Sequence, residues 1–175
     1  MATVSHPLAQ RPGDHARADA FLDIQAQRSG KIKGEAISPG QVDNIVVNAW
    51  HWGLKASFAL GTTEATGRRS YTALTIHKNV DRATTGLMAA LARNDAIKSA
   101  SLILRRAGGI QEPFLIISVK EARVVAVEHA AGDDGVIDET LSLVFTKVAV
   151  EYWQQLSSGL GSGAIVFEDE MPIAD

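Results

Sequence analysis

The chain has 175 residues, of which 46% are hydrophobic and 21% are charged, with 17 Lys and Arg against 20 Asp and Glu. The net charge of -3 supplies no basic field for polyanions, so we expect neither nucleic-acid binding nor membrane insertion. The sequence has no cysteine, which excludes disulfides, thiolate nucleophiles and cysteine metal sites.

The first 18 residues lack the apolar stretch of a secretory signal, so we expect no route through the general secretion pathway. No run approaches the roughly 18 apolar residues of a membrane span, which indicates synthesis in the cytoplasm. A chain of this length can bury roughly 70% of its unfolded surface in one core. We therefore predict a flexible N-terminal extension over residues 1–18 and a single domain over residues 19–175.

Strand signals dominate the chain and predict an all-β core. Segments rich in β-branched and aromatic residues predict strands near residues 20–25, 45–52, 72–77, 102–106, 114–127, 141–153 and 165–167. Turn signals separate them at residues 38–40, 107–109 and 132–135.

Within residues 141–153 apolar residues alternate with polar ones, and this alternation shifts by one residue around Thr146 and Lys147, which moves the apolar side chains to the opposite face. Either a bulge lies there, or the two halves pack on different partners, such as a neighbouring subunit.

One helix is predicted, over residues 81–94, with Asp81 or Thr84 as the N-cap. Its expected buried stripe consists of Leu87, Met88 and Leu91, and the helix should pack on the outside of the sheets.

Residues 55–70 show no convincing period, and a structureless loop of this length is usually functional or disordered. We interpret the segment as a contact between rings or subunits, with apolar anchors, glycines for reach and arginines for ion pairs. These residues are Phe58, Leu60, Gly61, Gly67, Arg68 and Arg69.

Trp50 and Trp52 lie two apart on a predicted strand and point to one side, so we interpret them as core anchors. His51 must then point to the opposite side. We place it, with Asp133 and Asp134 of the Gly132 to Gly135 turn, as a candidate for a channel surface; a buried, hydrogen-bonded His51 is the alternative.

Catalytic and cofactor signals are weak, and we predict no catalytic, cofactor-binding or metal site. The histidines show no metal-ligand spacing, and no Gly-x-Ser-x-Gly elbow is present. Residues 159–164 fit a dinucleotide fingerprint, but the chain leaves no room for the βαβ unit that this fingerprint opens. Glu168 and Glu170 are better explained as solvated edge charges than as an acid pair.

Several blocks of the sequence, in order, resemble the Hcp (hemolysin-coregulated protein) family, the tube protein of the type VI secretion system. Trp50-His51-Trp52-Gly53 followed by Arg106-Ala107-Gly108-Gly109 is the most specific part of the resemblance. The other blocks are residues 21–24, 32–35, 74–78, 81–91, 100–102, 114–122 and 140–152. The chain departs from the family pattern at Thr85, where a proline is common, and in its N-terminal extension.

The resemblance implies a mainly β fold, a compact two-sheet β-barrel with one short flanking helix and a long extended loop. It also implies homohexameric rings that stack into an expelled tube and can carry effectors, with a contractile sheath, a spike protein and effectors as partners. Such a protein is secreted without a signal peptide and is not an enzyme. A phage-like tail-tube subunit, a β-sandwich hydrolase and a monomeric ligand-binding barrel are the alternatives.

Overall fold

The computed structural model describes residues 18–56, 69–106, 112–155 and 161–171. The turn expected at residues 107–109 lies outside this part of the chain. The strands are β1 (Ala18–Ala26), β2 (Gly30–Lys31), β3 (Ile45–Val47), β4 (Ala49–His51), β5 (Leu54–Ala56), β6 (Arg69–Tyr71), β7 (Leu74–Asn79), β8 (Ala96–Arg106), β9 (Pro113–Ala131), β10 (Ile137–Val144), β11 (Lys147–Gln155) and β12 (Gly161–Glu170). The described helix, α1, spans Thr84–Ala92. The mainly β class with one short helix is confirmed.

One large antiparallel sheet contains ten strands, and β5 with β6 forms a separate two-stranded ribbon. The main path of the large sheet runs β2-β1-β8-β9-β10-β7-β4. Beside it, β11 pairs with β9 and β12, and β3 pairs with β1. Among the described strands, the hydrogen-bonded sheet does not close into a barrel. Its two sides are connected by one short segment of chain, because β3 pairs with β1 and the next strand, β4, pairs with β7.

The long strand β9 changes partner along its length. On one edge its first half pairs with β11, and its second half pairs with β10. Glu121 lies between the halves with a φ of 50°, a conformation uncommon for residues other than glycine. The shift in the alternation of apolar residues near Thr146 therefore marks the boundary between two strands, β10 and β11, each paired with a different half of β9.

The core lies between β3, β1, β8 and β9 on one side and β7, β10 and α1 on the other. Most core residues are fully buried aliphatic side chains, and adjacent strands contribute them at alternate positions. The largest of them are Leu22, Ile24, Ile45, Leu74, Ile76, Leu87, Ile97, Leu102, Leu141 and Leu143.

Two of the three residues predicted for the buried stripe of the helix are exposed. Leu87 is fully buried, but Met88 is 48% exposed and Leu91 is 36% exposed. The buried residues are Thr84, Leu87 and Ala90. The small residues allow close packing, since a Cβ on Gly86 would lie 3.1 Å from the Ile32 side chain. This packing turns the larger Met88 and Leu91 to the surface.

A buried ionic network fixes the start of α1 to the sheet. Lys78 and Glu139 have fully buried side chains, and Lys78 Nζ lies 2.9 Å from Glu139 Oε1. Lys78 Nζ also lies 2.7 Å from Asp81 Oδ1, and Asp81 Oδ1 accepts a hydrogen bond from the backbone N–H of Ala83. His129 Nε2 lies 2.9 Å from Glu139 Oε2. The network thus connects β7, β9 and β10 with the residues that begin the helix.

The net effect of these contacts is a Glu139 pKa below its ordinary value. Burial raises the pKa, but the interactions with Lys78, Thr84 and His129 outweigh it. Lys78 and Glu139 therefore form a buried ion pair.

We expect Lys78→Met to lower the free energy of unfolding by about 3–5 kcal/mol, because it leaves the Glu139 carboxylate buried without its cation. The double variant Lys78→Met/Glu139→Leu should regain most of this loss. Urea unfolding measures both, with Lys98→Met at an exposed lysine of β8 as the control. A double variant no more stable than Lys78→Met would contradict this account.

Candidate assembly site

Six strands of the large sheet form a continuous layer in the order β3-β1-β8-β9-β11-β12. One side of the layer faces the core over most of its width. The other side, called here the free face, is polar at its centre, where Ser101 Oγ and Ser118 Oγ lie 2.9 Å apart. At its β12 end the free face has a cavity of about 440 Å³ lined by Ser118, Lys120, Lys147, Val148, Ala149, Glu168, Asp169 and Glu170.

One cluster of charged groups on the free face consists of Lys147, Glu121 and Glu170. Lys147 Nζ lies 2.8 Å from Glu121 Oε1 and 3.5 Å from Glu170 Oε1. Hydrogen bonding to Glu121 raises the pKa of Lys147, and Lys147 together with Thr146 lowers the pKa of Glu121. Both groups are therefore charged at neutral pH.

Strand β12 forms one edge of the layer, and in the part of the chain that is described it pairs with β11 alone. Its apolar side chains are exposed on both sides: Ile165 is 65% exposed, Val166 51% and Phe167 44%. Tyr152 on β11, which pairs with Ile165, is 38% exposed. The β11–β12 hairpin thus extends beyond the core with apolar surface that no described element covers.

The opposite edge consists of β3, β2 and the loop between them, residues 32–44. Val46 on β3 is 47% exposed, and in the loop Ile37 is 90% and Val42 60% exposed. The loop is held by hydrogen bonds across its base, including Gly34 N–H to the Asp43 carbonyl at 2.8 Å. Arg82 donates to Asp43 Oδ1 at 2.7 Å and so ties the loop to the residues before α1. The exposed apolar residues therefore sit on a well-braced edge.

Comparison with known proteins identifies the family. A family model described as "Type VI secretion system effector, Hcp" matches residues 21–152. The chain belongs to the Hcp family. The resemblance found in the sequence is thereby confirmed, and with it the assignment as a tube protein of type VI secretion.

Individual Hcp proteins align over nearly their whole length. Protein hcp1 of Pseudomonas aeruginosa is 32% identical over 152 residues, which cover 85% of this chain and 91% of that protein. The crystal structure of Hcp1 from Salmonella typhimurium superposes with a TM-score of 0.69 at 24% identity, covering 88% of this chain and 95% of that one. Hcp1 from E. coli EAEC 042 superposes with a TM-score of 0.69 at 20% identity, covering 87% and 98%. At these identities the two structures show a shared fold.

The two tryptophans pack against the core from its rim. Trp50 and Trp52 are each half-buried. Trp52 stacks on Tyr71 with ring centroids 5.9 Å apart, and Tyr71 meets Phe145 edge-on at 6.2 Å. Trp52 therefore contacts the ribbon that follows it through Tyr71, and the role of Trp50 and Trp52 as core anchors stays a prediction.

The residues predicted for a channel surface are exposed but lie apart. His51 is exposed at the end of β4, beside Thr75 of β7. Asp133 and Asp134 are exposed in the turn between β9 and β10, beyond the other end of β7. They form no common cluster, and their orientation toward a channel stays a prediction.

The predicted stacking loop begins and ends on the β5–β6 ribbon, so its ends are strands and not irregular chain. Phe58, Leu60, Gly61, Gly67 and Arg68 lie outside the described residues. Arg69 lies inside and forms a bidentate ion pair with Asp169 of β12 in the same chain, with its Nη2 2.7 Å from Asp169 Oδ1. The Tyr71 hydroxyl also donates to Asp169.

The contacts of Arg69 and Tyr71 with Asp169, called here the Arg69–Asp169 clamp, favour the charged form of Asp169. Hydrogen bonds from Arg69 and then Tyr71 lower its pKa. Because the pKa is lower in the folded protein, the stabilisation is present above the ordinary value of about 3.9 and is lost as the pH falls through the folded value.

Sequence reasoning missed the β12 edge and the residue 32–44 loop as surfaces. One signal was available, since Ile165, Val166 and Phe167 are consecutive apolar residues and must point to both sides of a strand. Among the described residues, no group of three or more His, Asp or Glu side chains could hold a metal ion, and no helix there is long and apolar enough to cross a membrane.

We expect Asp169→Asn to release the β5–β6 ribbon from β12, because the ion pair to Arg69 is lost. Amide hydrogen exchange over residues 54–56 and 69–71 should become severalfold faster, while β1 amides stay protected. Lowering the pH of the wild type through the lowered pKa of Asp169, which lies below the ordinary value of about 3.9, should do the same. Unchanged exchange in the ribbon would show that the Trp52–Tyr71 stack holds it without the clamp. Glu168→Gln, a neutral change next to Asp169, is the control.

Proposed function

We propose that this chain is a structural subunit that joins further copies head to tail into six-membered rings, which stack into the type VI secretion tube. The observation that carries the proposal is β12, which among the described strands pairs with β11 alone and has apolar side chains exposed on both sides. An exposed apolar edge strand is prone to pair with another chain, and natural proteins usually protect such edges. A second copy of the chain is the protecting partner that the family assignment supports.

A ring requires two different contact surfaces on each subunit. A contact between unlike surfaces generates a closed ring when the rotation between copies closes. The layer described above has two such surfaces, β12 at one edge and β3 with the residue 32–44 loop at the other. Each interface should bury more than roughly 1,000 Å² in total to be specific.

The wider role follows from the family. We propose that the sheath, spike and effectors of the same secretion system are the partners, and that the protein leaves the cell through that system without a signal peptide. The role is structural and not enzymatic.

Phe167→Asp is expected to dissociate the ring, because it places a charge in the apolar contact of β12. Sedimentation velocity at micromolar concentration should give a hexamer for the wild type and smaller species for the variant. Val136→Asp is the matched control, since Val136 is 50% exposed in the β9–β10 turn, away from both edges. A wild type that sediments as a monomer would contradict the proposal, as would a hexameric Phe167→Asp variant.

The second expectation concerns the stacking of rings. We propose that residues 57–68 reach the neighbouring ring, supported by the β5–β6 ribbon, which the Arg69–Asp169 clamp fixes beside β12. Replacing residues 57–68 by a short Gly-Ser turn while keeping Arg69 should leave the ring mass unchanged and abolish tube formation and secretion. Unchanged secretion would remove the loop from the mechanism, and lost rings would show that it acts within the ring.

A further inference from the structure

Two histidines that are far apart in the sequence lie side by side on one exposed face of the sheet. His51 on β4 pairs directly with Thr75 on β7, and His77 follows Thr75 by two residues. Residues two apart on a strand point to the same side, so the two histidines share a face and occupy diagonal positions on neighbouring strands. Trp50 pairs with the fully buried Ile76 on the opposite, core-facing side. Both histidines are exposed, and we call them the histidine pair.

The spacing of the histidine pair suits a metal ion bound between the two rings. Diagonal neighbours on antiparallel strands have Cα atoms about 7–8 Å apart and Cβ atoms somewhat closer. An imidazole nitrogen binds Zn²⁺ at about 2.0–2.1 Å, so two rings that turn toward each other can share one ion across this gap. Ala49, directly opposite His77, has a small side chain and leaves space for the rings and for water.

The surroundings of His77 orient its ring for metal binding. Its Nδ1 lies 3.1 Å from Thr140 Oγ1. In the tautomer with the proton on Nδ1, His77 donates to Thr140 and leaves the lone pair of Nε2 available. Metal-binding histidines usually use the second ring nitrogen in this way. The backbone is held as well, because the Asn48 N–H donates to the His77 carbonyl at 2.8 Å.

The local charge also favours a cation. The rows of this face that run across β7, β10 and β9 are Thr75, Ser142 and Ala126; His77, Thr140 and Glu128; and Asn79, Asp138 and Ala130. The Lys, Arg, Asp and Glu residues in these rows are limited to Glu128 and Asp138, which are both exposed and acidic. A surface lined by one sign of charge raises the local concentration of the opposite ion.

We infer that His51 and His77 together bind one divalent transition-metal ion of the class that imidazole nitrogen prefers, Zn²⁺, Ni²⁺ or Cu²⁺, with water as the remaining ligands. The site goes beyond the proposed structural role and does not depend on it. Strand β4 has three residues, and among the described strands it pairs with β7 alone. The ion therefore fastens a short strand to its neighbour. The sequence predicted no metal site because strand register, and not spacing along the chain, brings the pair together.

Calorimetric titration with NiCl₂ tests the site directly. The protein should carry no affinity tag, since added histidines bind the same ion, and the buffer should be neutral, because imidazole binds metals in its unprotonated form. We expect one Ni²⁺ per histidine pair in the wild type. His51→Gln and His77→Gln should each weaken this binding at least tenfold. The control is His15→Gln, which removes a histidine outside the pair and should leave the affinity within twofold of the wild type.

A relocated histidine tests the geometry. His51→Gln/Ala49→His places the second imidazole directly opposite His77, so it should restore the Ni²⁺ affinity to within about threefold of the wild type. The site would be overturned by a wild type without measurable Ni²⁺ binding or by His51→Gln and His77→Gln variants that bind as tightly as the wild type. A tenfold loss in His15→Gln would place the ion elsewhere and would overturn it too, as would a relocated variant without rescue.

Amide hydrogen exchange shows whether the ion joins the two strands. Saturating Ni²⁺ should slow exchange over residues 49–51 severalfold in the wild type, because the bound form resists opening of β4. It should have no such effect in His51→Gln, and β1 amides should exchange at the same rate with and without the ion. Tight Ni²⁺ binding with unchanged exchange over residues 49–51 would mean that the ion does not connect β4 to β7, and the inference would be wrong.

Discussion

The change of partner within β9 is the feature on which the rest of the architecture depends. Glu121 adopts a positive φ there. Its carboxylate accepts a hydrogen bond from Thr146 Oγ1 at 2.7 Å and forms an ion pair with Lys147 Nζ at 2.8 Å. These contacts hold the start of β11 against the first half of β9, while β10 occupies the second half. The chain therefore leaves the core at this point and continues as the β11–β12 hairpin, which forms the outer edge of the layer.

Two braces keep the edges in place relative to the core. The Lys78–Glu139 network connects α1 with β7, β9 and β10, and Arg82, just before α1, binds the loop beside β3. At the other edge, Asp169 connects β12 with the β5–β6 ribbon. Because each edge is tied to a packed element, we expect little ordering entropy to oppose the proposed association.

The sequence predicted the fold well where the pattern was local. Enrichment in β-branched and aromatic residues predicted β1, β7 and β8, and the turn at residues 132–135 formed as expected. The helix stripe was wrong at Met88 and Leu91, since close packing through Gly86 selects the side with small residues. The order of strands in a sheet depends on long-range pairing, so the positions of β3 and β12 at the two edges of the layer could not be read from the sequence alone.

The most direct test of this account is a cryo-EM map of the assembled ring at side-chain resolution. The proposed ring predicts that β12 of each subunit lies beside the β3 edge of the next, so that Ile165, Val166 and Phe167 are covered. Rings in which these residues stay exposed, or in which β12 packs on its own copy across a two-fold axis, would contradict it.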